Sequence, residues 1–575
     1  AWAQAYERML RDLIRHMEGS DYAGHIIGYQ PAGGRASEWY WYGDTRAIDF
    51  APAAIERWRV WLSDRYGGEV RALREAWGRP DATFEAAQPP TPQEREATHH
   101  GLFRDPVQGR RVVDYLRFLS DMVSRNILRS CRIVKEETGG EKIAGVFYGY
   151  SLYTPRQDGF QALEQVLVSP DVDFLCSPTS YDHRRGGEPG SFVSTYFGSY
   201  RLHGKLYWDE VDTRTHLYPG HVSYRTESLD ETLAVLQRAV GHSLTRGTSL
   251  WWFLLAGNAT FHQAEVMDEI AALKETCDQA LDDDREPVAD VAVFVDEPSM
   301  YHAAGEYAVL RAYLRDTVDE LARMGAPHDI YLLSDIADEH LPDYRLYIFL
   351  NAWAIDEATQ AAIDAKVRRG GKVAVWVYAP GYVAGASLSE EAMAELTGIT
   401  LRAHAHPVQA ELAITDPAHP ITASAPETLR WPWELAPAFS VADDEATVLG
   451  TVADRPALAV RELADWRSVY SLLPLRRACL LGQLGHVLRE SKLRHAAHRL
   501  RGQQAHRTGS AGGGHGVGHR ALSRSRGRRC GDASGGRDPH LPHGALSGGP
   551  SPVPPAPASS VRVCFCPALL ANPGP

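Results

Sequence analysis

The sequence predicts an α/β protein of two successive units, followed by a segment that cannot build a core. Three observations carry this. Helix and strand patterns alternate from residue 1 to about 281, and a second alternating series runs from 288 to about 465. From about Leu475 isoleucine is gone, tyrosine is absent after Tyr470, and Gly, Arg, His, Ser and Pro dominate. At 575 residues the chain is long enough for more than one core, since single cores stop growing near ~250–300 residues.

In the first unit, Trp2 to Met17 reads as an amphipathic helix and His25 to Gln30 as a short apolar strand that runs into the loop Pro31 to Gly34. Helical patterns follow at 54–66 and 114–138. Strand-like runs lie at 142–150, 173–177, 205–209 and 249–253, with helical stretches at 159–167, 228–245 and 264–281. Periodicity fits a doubly wound sheet or a (β/α) barrel equally. The chemistry at the strand ends favours the barrel, where reactive groups gather at the carboxyl ends of strands: Glu38, Tyr181, Glu210 and Trp252 all fall there.

The acidic linker Asp282-Asp283-Asp284-Arg285-Glu286-Pro287 opens the second unit. Continuous apolar runs at 288–295, 329–333, 346–350 and 372–377 read as strands buried on both faces, with helices at 307–324 and 357–369. These predict a smaller doubly wound domain, closed by a β-rich stretch. The last segment, 475–575, admits three readings: a basic nucleic-acid-binding tail, plain disorder, or out-of-frame translation of GC-rich coding sequence. The abruptness of the change favours the third.

Charge narrows the function. Residues 467–575 carry 16 Lys and Arg against Glu490, Asp532 and Asp538, so the rest of the chain holds 44 bases and 70 acids. A body this acidic repels nucleic acid and anionic lipid and suits a neutral substrate such as a sugar. No apolar run reaches the ~20 residues that span a bilayer. The seven cysteines are scattered, and no metal or disulfide framework is legible. No leader is visible at the start, the chain reads as beginning mid-protein, and a cytoplasmic location is favoured.

Hydrolysing a glycosidic bond needs one carboxyl kept protonated for the leaving oxygen and a second, ionised one on the other face of the sugar. Glu38 lies in GGRASEWYWYG, where Trp39, Tyr40, Trp41 and Tyr42 offer an apolar wall that raises a carboxyl pKa and stacks on sugars. That environment suits an acid/base. Glu210 ends the run Lys205-Leu206-Tyr207-Trp208-Asp209-Glu210, and the cations and hydroxyls of VDTRTH follow it, which suits a nucleophile. Either Glu alone is more often a solvated loop residue or a salt-bridge partner.

The segments GYQPAGGRASEWYWYG, FLCSPTSYDHRRGG, KLYWDEVDTRTH and LWWFLLAGN resemble, in order and spacing, strands four, six, seven and eight of the family-42 β-galactosidases and their clan relatives. The resemblance implies a partial (β/α)8 TIM barrel (strands four to eight) over 1–281, with Glu38 as acid/base and Glu210 as nucleophile. Trp39, Trp41, Tyr148, Tyr181, Trp252 and His216 become substrate contacts, with Arg184 and Arg185 as weaker candidates. Tyr181 resembles a residue near the nucleophile and Trp252 the aromatic flooring the sugar site, although an ordinary loop Tyr, a core Trp pair and an exposed loop His are the plainer readings. The region 288–465 resembles the trimerisation domain of these enzymes, a flavodoxin-like or class I amidotransferase-like fold. It has no cysteine nucleophile, so its implied role is structural, in a homo-oligomer. No cofactor is implied.

Two departures qualify the implied activity. Ser37 stands where the family commonly has Asn before the acid/base, and nothing before residue 20 supplies the first three barrel strands. The expectation is therefore a retaining exo-glycosidase that is inactive as this polypeptide, with a non-catalytic carbohydrate-binding or scaffold protein, or a non-functional truncated product, as the alternative.

Overall fold

The computed structural model describes residues 2–34, 38–40, 50–152, 159–188, 194–220, 222, 224–254, 260–282, 288–304, 307–476 and 563–565. The readings made on Ser37, on Trp41 and on nearly all of 475–575 lie outside these residues.

The first region begins with α1 (Trp2–Glu18) and β1 (Gly28–Tyr29). An insertion of three helices follows, α2 (Pro52–Arg65), α3 (Val70–Trp77) and α4 (Pro92–Glu96), before the long α5 (Arg110–Glu137) returns to the sheet. The last two of the inserted helices were not read from sequence. Trp58, Trp61, Trp77, Tyr115 and Phe118 give the insertion its own aromatic core. Asp114, fully buried, accepts there from Arg65 Nε at 3.1 Å, Arg110 Nε at 3.0 Å, Tyr66 Oη at 2.6 Å and Trp77 Nε1 at 2.9 Å. So many donors offset the cost of burying a carboxylate.

The remaining elements are β2 (Ile143–Phe147), α6 (Leu163–Leu167), β3 (Phe174–Pro178), α7 (Phe197–Leu202), β4 (Leu206–Val211), α8 (Leu229–Arg246), β5 (Ser249–Trp252) and α9 (Ala264–Gln279). Ser228 caps α8 by accepting from the Glu231 amide, and Gly247 ends it in the left-handed conformation, so the helix boundaries follow from the sequence. Strands β1 to β5 pair in parallel, each with the next. This is the alternating half of a (β/α) barrel, and among the described residues no strand pairs with the free edge of β1.

The two faces of this sheet have different neighbours. Val146, Tyr148, Leu175 and Tyr207 belong to the same buried cluster as α5 residues Ile127, Cys131 and Val134, while Leu250 and Trp252 form another with Leu236, Val240, Val266 and Ile270 of α8 and α9. On the other face Phe147, Phe174, Cys176 and Trp251 form a separate cluster with Leu206, Trp208 and Phe253. The period of two along a strand fixes this sorting. We call the second face the open face.

The second region contains β6 (Val291–Val295), α10 (Glu297–His302), α11 (Tyr307–Arg311), a π-helical turn (Ala312–Asp316), α12 (Thr317–Ala322), β7 (His328–Leu332), β8 (Leu346–Phe349), α13 (Glu357–Val367) and β9 (Lys372–Val377). The single helix expected over 307–324 is thus interrupted at its centre. After the hairpin β10 (Val383–Ala384) and β11 (Ser387–Leu388) come α14 (Glu390–Thr397), β12 (Leu401–His404), β13 (Val408–Ile414), β14 (Thr428–Leu435), β15 (Ala438–Val441), β16 (Thr447–Val452), β17 (Arg455–Glu462) and β18 (Trp466–Ser471). The parallel core has the order β7-β6-β8-β9-β18, the flavodoxin-like arrangement. Antiparallel β17, β16, β13 and β14 extend it. Strand β18 carries regular structure to Ser471, beyond the sequence-read end near 465, because it pairs with β9 in mid-sheet. In the last segment β19 (Val563–Phe565) pairs antiparallel with β5.

One buried core is continuous through both regions. Helix α7 lies against β7 so closely that a Cβ on Gly198 would meet Ile330 O at 2.7 Å and the Tyr331 ring at 2.8 Å. The Leu332 amide donates to Ser199 Oγ at 2.8 Å, and Arg201 pairs with Asp329 at 3.1 Å. No described helix is long and apolar enough to cross a membrane.

Candidate active site

Glu38 and Glu210 are brought onto the same face of one sheet. Glu38 forms an isolated parallel bridge with Phe147, and partners in a parallel pair point to the same side, so its side chain shares the open face. Glu210 lies on β4 opposite Pro178 and Trp251, two residues after Trp208. Its neighbour Asp209 turns to the helices, accepting from Ser243 Oγ at 3.2 Å and Thr248 Oγ1 at 3.3 Å, and so fixes the direction of Glu210. Glu210 stands near the carboxyl end of β4 and Glu38 bridges the carboxyl end of β2, and Glu210 is 8% exposed.

The surroundings of Glu38 shift it toward its protonated form. Burial raises its carboxyl pKa first; Tyr150 and Tyr40 then lower it, and the charge of Asp212 raises it again. The Tyr40 ring stacks on Phe160 at 4.6 Å and meets Tyr150 edge-on at 6.2 Å. Tyr150 is 3% exposed, and its phenol lies close to the Glu38 carboxyl without a hydrogen bond of good geometry among the described residues.

Beyond Glu210 the strand end is charged. Asp212 is fully buried; its Oδ2 accepts from Tyr181 Oη at 2.7 Å and lies 3.4 Å from Arg214 Nη1, and its Oδ1 accepts from Arg184 Nη1. The Arg184 guanidinium stacks 3.8 Å over the Tyr181 ring, and Arg214 lies 5.4 Å from Tyr224. Asp212 is thus committed to protein partners. Burial, then Asp212, push the Tyr181 phenol pKa up, and Glu210 adds to the rise.

Several residues expected at the site lie elsewhere. Trp39 turns to the helices, donating Nε1 to Pro31 O at 2.9 Å and meeting Tyr6 edge-on, because it follows Glu38 by one residue and so takes the opposite face. Trp252 packs under α8 and α9 for the same reason; on the open face stands Trp251, 5.8 Å from Phe147 and 6.3 Å from Trp208. Tyr148 is fully buried and donates to Gly159 O at 2.8 Å. Both ring nitrogens of His216 are engaged, Nδ1 with Thr232 Oγ1 at 2.9 Å and Nε2 with Gln263 Oε1 at 2.8 Å, so it joins the starts of α8 and α9. Arg185 pairs with Glu227 at 2.9 Å and Glu231 at 3.1 Å. Tyr150, Asp212 and Trp251 were not singled out, although counting in twos from Glu210 gives Asp212. Among the described residues no three His, Cys, Asp or Glu come together as metal ligands.

Residues 41–199 match the family model described as beta-galactosidase, glycoside hydrolase family 42. The chain is similar to the family-42 β-galactosidases. This match begins three residues after Glu38 and ends before Glu210, so it assigns neither role. Residues 293–472 match the model described as trehalose utilisation, in keeping with the flavodoxin-like second region. Among solved structures, the cold-adapted β-galactosidase of Rahnella sp. R3 is 17% identical with a TM-score of 0.59, covering 86% of this chain and 72% of that one. Gan42B, a β-galactosidase from G. stearothermophilus, is 15% identical in its catalytic mutant with a TM-score of 0.56, covering 84% and 71%. The β-galactosidase of Bacillus circulans sp. alkalophilus is 13% identical with a TM-score of 0.55, covering 85% and 72%. The shared fold is a glycosidase barrel followed by an α/β region. No curated protein sequence matches the chain.

Proposed function

We propose that the chain is a retaining glycoside hydrolase acting on terminal β-galactosides, with Glu38 as acid/base and Glu210 as nucleophile. What carries the reading is that Glu210 on β4 and Glu38, bridged to the end of β2, share one face, and that burial favours the protonated form of Glu38. In this mechanism Glu38 gives its proton to the glycosidic oxygen while Glu210 attacks the anomeric carbon. The bond to the leaving group breaks and a glycosyl ester forms on Glu210. Glu38, now ionised, takes a proton from water, whose oxygen attacks the same carbon and releases the sugar. Carboxyl groups ~5–5.5 Å apart are expected for this chemistry.

Hydrolysis of 4-nitrophenyl β-galactoside by the full chain tests the reading, and turnover would overturn the expectation of inactivity drawn from the sequence. Glu210→Gln is expected to abolish turnover, and a 2-deoxy-2-fluoro galactoside is expected to add one sugar mass to the peptide containing 205–212. Activity untouched by Glu210→Gln, or label on another residue, removes the assignment and leaves a carbohydrate-binding scaffold. Homo-oligomerisation through 288–465 belongs to the same reading.

A further inference from the structure

Two ionisable side chains of the second region are buried in the first, each against a loop that carries a tyrosine of the candidate site. Glu297, 3% exposed at the start of α10, accepts from Ser151 Oγ at 2.8 Å and from the Leu163 amide at 3.1 Å. Ser151 also shares a hydrogen bond with Tyr196 Oη at 2.7 Å, and it directly follows Tyr150, whose phenol lies at Glu38. From the same helix Tyr301 donates to Gln161 O at 2.6 Å. The loop leaving β2 is therefore held at both its ends by α10.

Arg315 does the corresponding work for the loop leaving β3. It is 1% exposed, lies in the π-helical turn, and meets Ser180 Oγ through Nη2, with Asp182 at 3.6 Å and Asp319 at 3.3 Å. Arg311, one turn earlier, donates to Asp182 at 3.0 Å. Ser180 directly precedes Tyr181, whose phenol is bonded to Asp212 beside the end of β4.

Burying a polar or charged group costs more than burying an apolar side chain of the same size, so adhesion alone does not call for these residues. Directional hydrogen bonds to the loops are what they add, and π-helical turns inside α-helices recur at functional positions. Resting on the catalytic reading of Glu38 and Glu210, we infer that Glu297 and Arg315 are positioning residues of that site: the second region sets the loops that present Tyr150 and Tyr181.

The test uses the full chain with Glu297→Leu, Glu297→Gln, Arg315→Met and the gentler Ser151→Ala and Ser180→Ala, which remove the loop side of each contact. Amide hydrogen exchange and 4-nitrophenyl β-galactoside kinetics are measured together. Glu297→Leu is expected to speed exchange at least tenfold in 148–152 and 159–163 but not in 179–184, and Arg315→Met to do the reverse. Each is expected to lower kcat at least tenfold with KM within about threefold. Glu297→Gln is expected to restore both. Ser151→Ala and Ser180→Ala are expected to reproduce the local exchange pattern at about threefold, and they decide the matter if the larger changes prevent folding. Unchanged exchange in these loops, or an equal rise everywhere, overturns the inference. If the parent shows no Glu210-dependent turnover, the catalytic reading fails while the exchange pattern still reports whether these residues set the loops.

Discussion

Asp212→Asn perturbs the candidate site at its most charged point. Asp212 is fully buried; it carries the counter-charge for Arg184, 4% exposed, and Arg214, 3% exposed, and accepts the Tyr181 hydroxyl. The amide keeps the shape but leaves two guanidiniums in a water-poor site without their anion. Removing one partner of such a buried pair costs ~3–5 kcal/mol, against ~0–1 kcal/mol for an exposed pair. At about 1.4 kcal/mol per tenfold change, the folding equilibrium shifts at least a hundredfold. Urea unfolding followed by tryptophan fluorescence measures this, and Arg184→Met combined with Asp212→Asn is expected to recover part of the loss. The substitution also removes a negative charge that raises the Glu38 pKa. Because Glu38 must be protonated to act as acid, the alkaline limb of the kcat/KM profile moves to lower pH. A loss below about 1 kcal/mol, or a limb that stays in place or moves upward, refutes the reasoning.

Other predictions follow from the same geometry. Trp252→Ala, which empties a site under α8 and α9, is expected to cost ~3–5 kcal/mol in thermal or urea unfolding, with KM unchanged at temperatures where the variant is folded; a large rise in KM would return Trp252 to the site. Burial raises the Glu297 carboxyl from 4.5 to about 8, and the Asp296 carboxyl from 3.8 to about 7. The folded state therefore holds protons that the unfolded chain has released, so stability falls as pH rises from about 4 to 8. Glu297→Gln is expected to flatten that slope by a few kcal/mol, and an unchanged slope in melting curves across this range contradicts it. Light scattering on the purified chain is expected to give three copies; a monomer at micromolar concentration removes the oligomer from the proposed function.

The alternation of helices and strands was legible because apolar runs such as VAVFV and KVAVWV leave a strand buried on both faces no other solution. The strands between residues 140 and 380 and the long helices were legible in this way, whereas the antiparallel strands after 400 read only as a β-rich stretch. The inserted helix α3 was missed because it is only eight residues long. The π-helical turn was missed because its sequence continues the helical pattern on both sides.

Side-chain direction was not legible. Trp251 and Trp252 are chemically identical neighbours, and only the pairing of β5 with β4 determines which meets the open face. A shift of one residue reverses every side chain of a strand, so Trp39 was expected beside Glu38 and lies behind it. His216 looked available until α8 and α9 brought Thr232 and Gln263 to its two nitrogens. Composition and periodicity by themselves determined that this chain builds two α/β regions with acidic residues at strand ends, since those depend on local pattern. Which side chains share a face depended on strand pairing between segments distant in the chain, and that Glu297 and Arg315 from the second region reach the loops of the first depended on contacts more than a hundred positions apart. Those contacts exist only once the chain has folded.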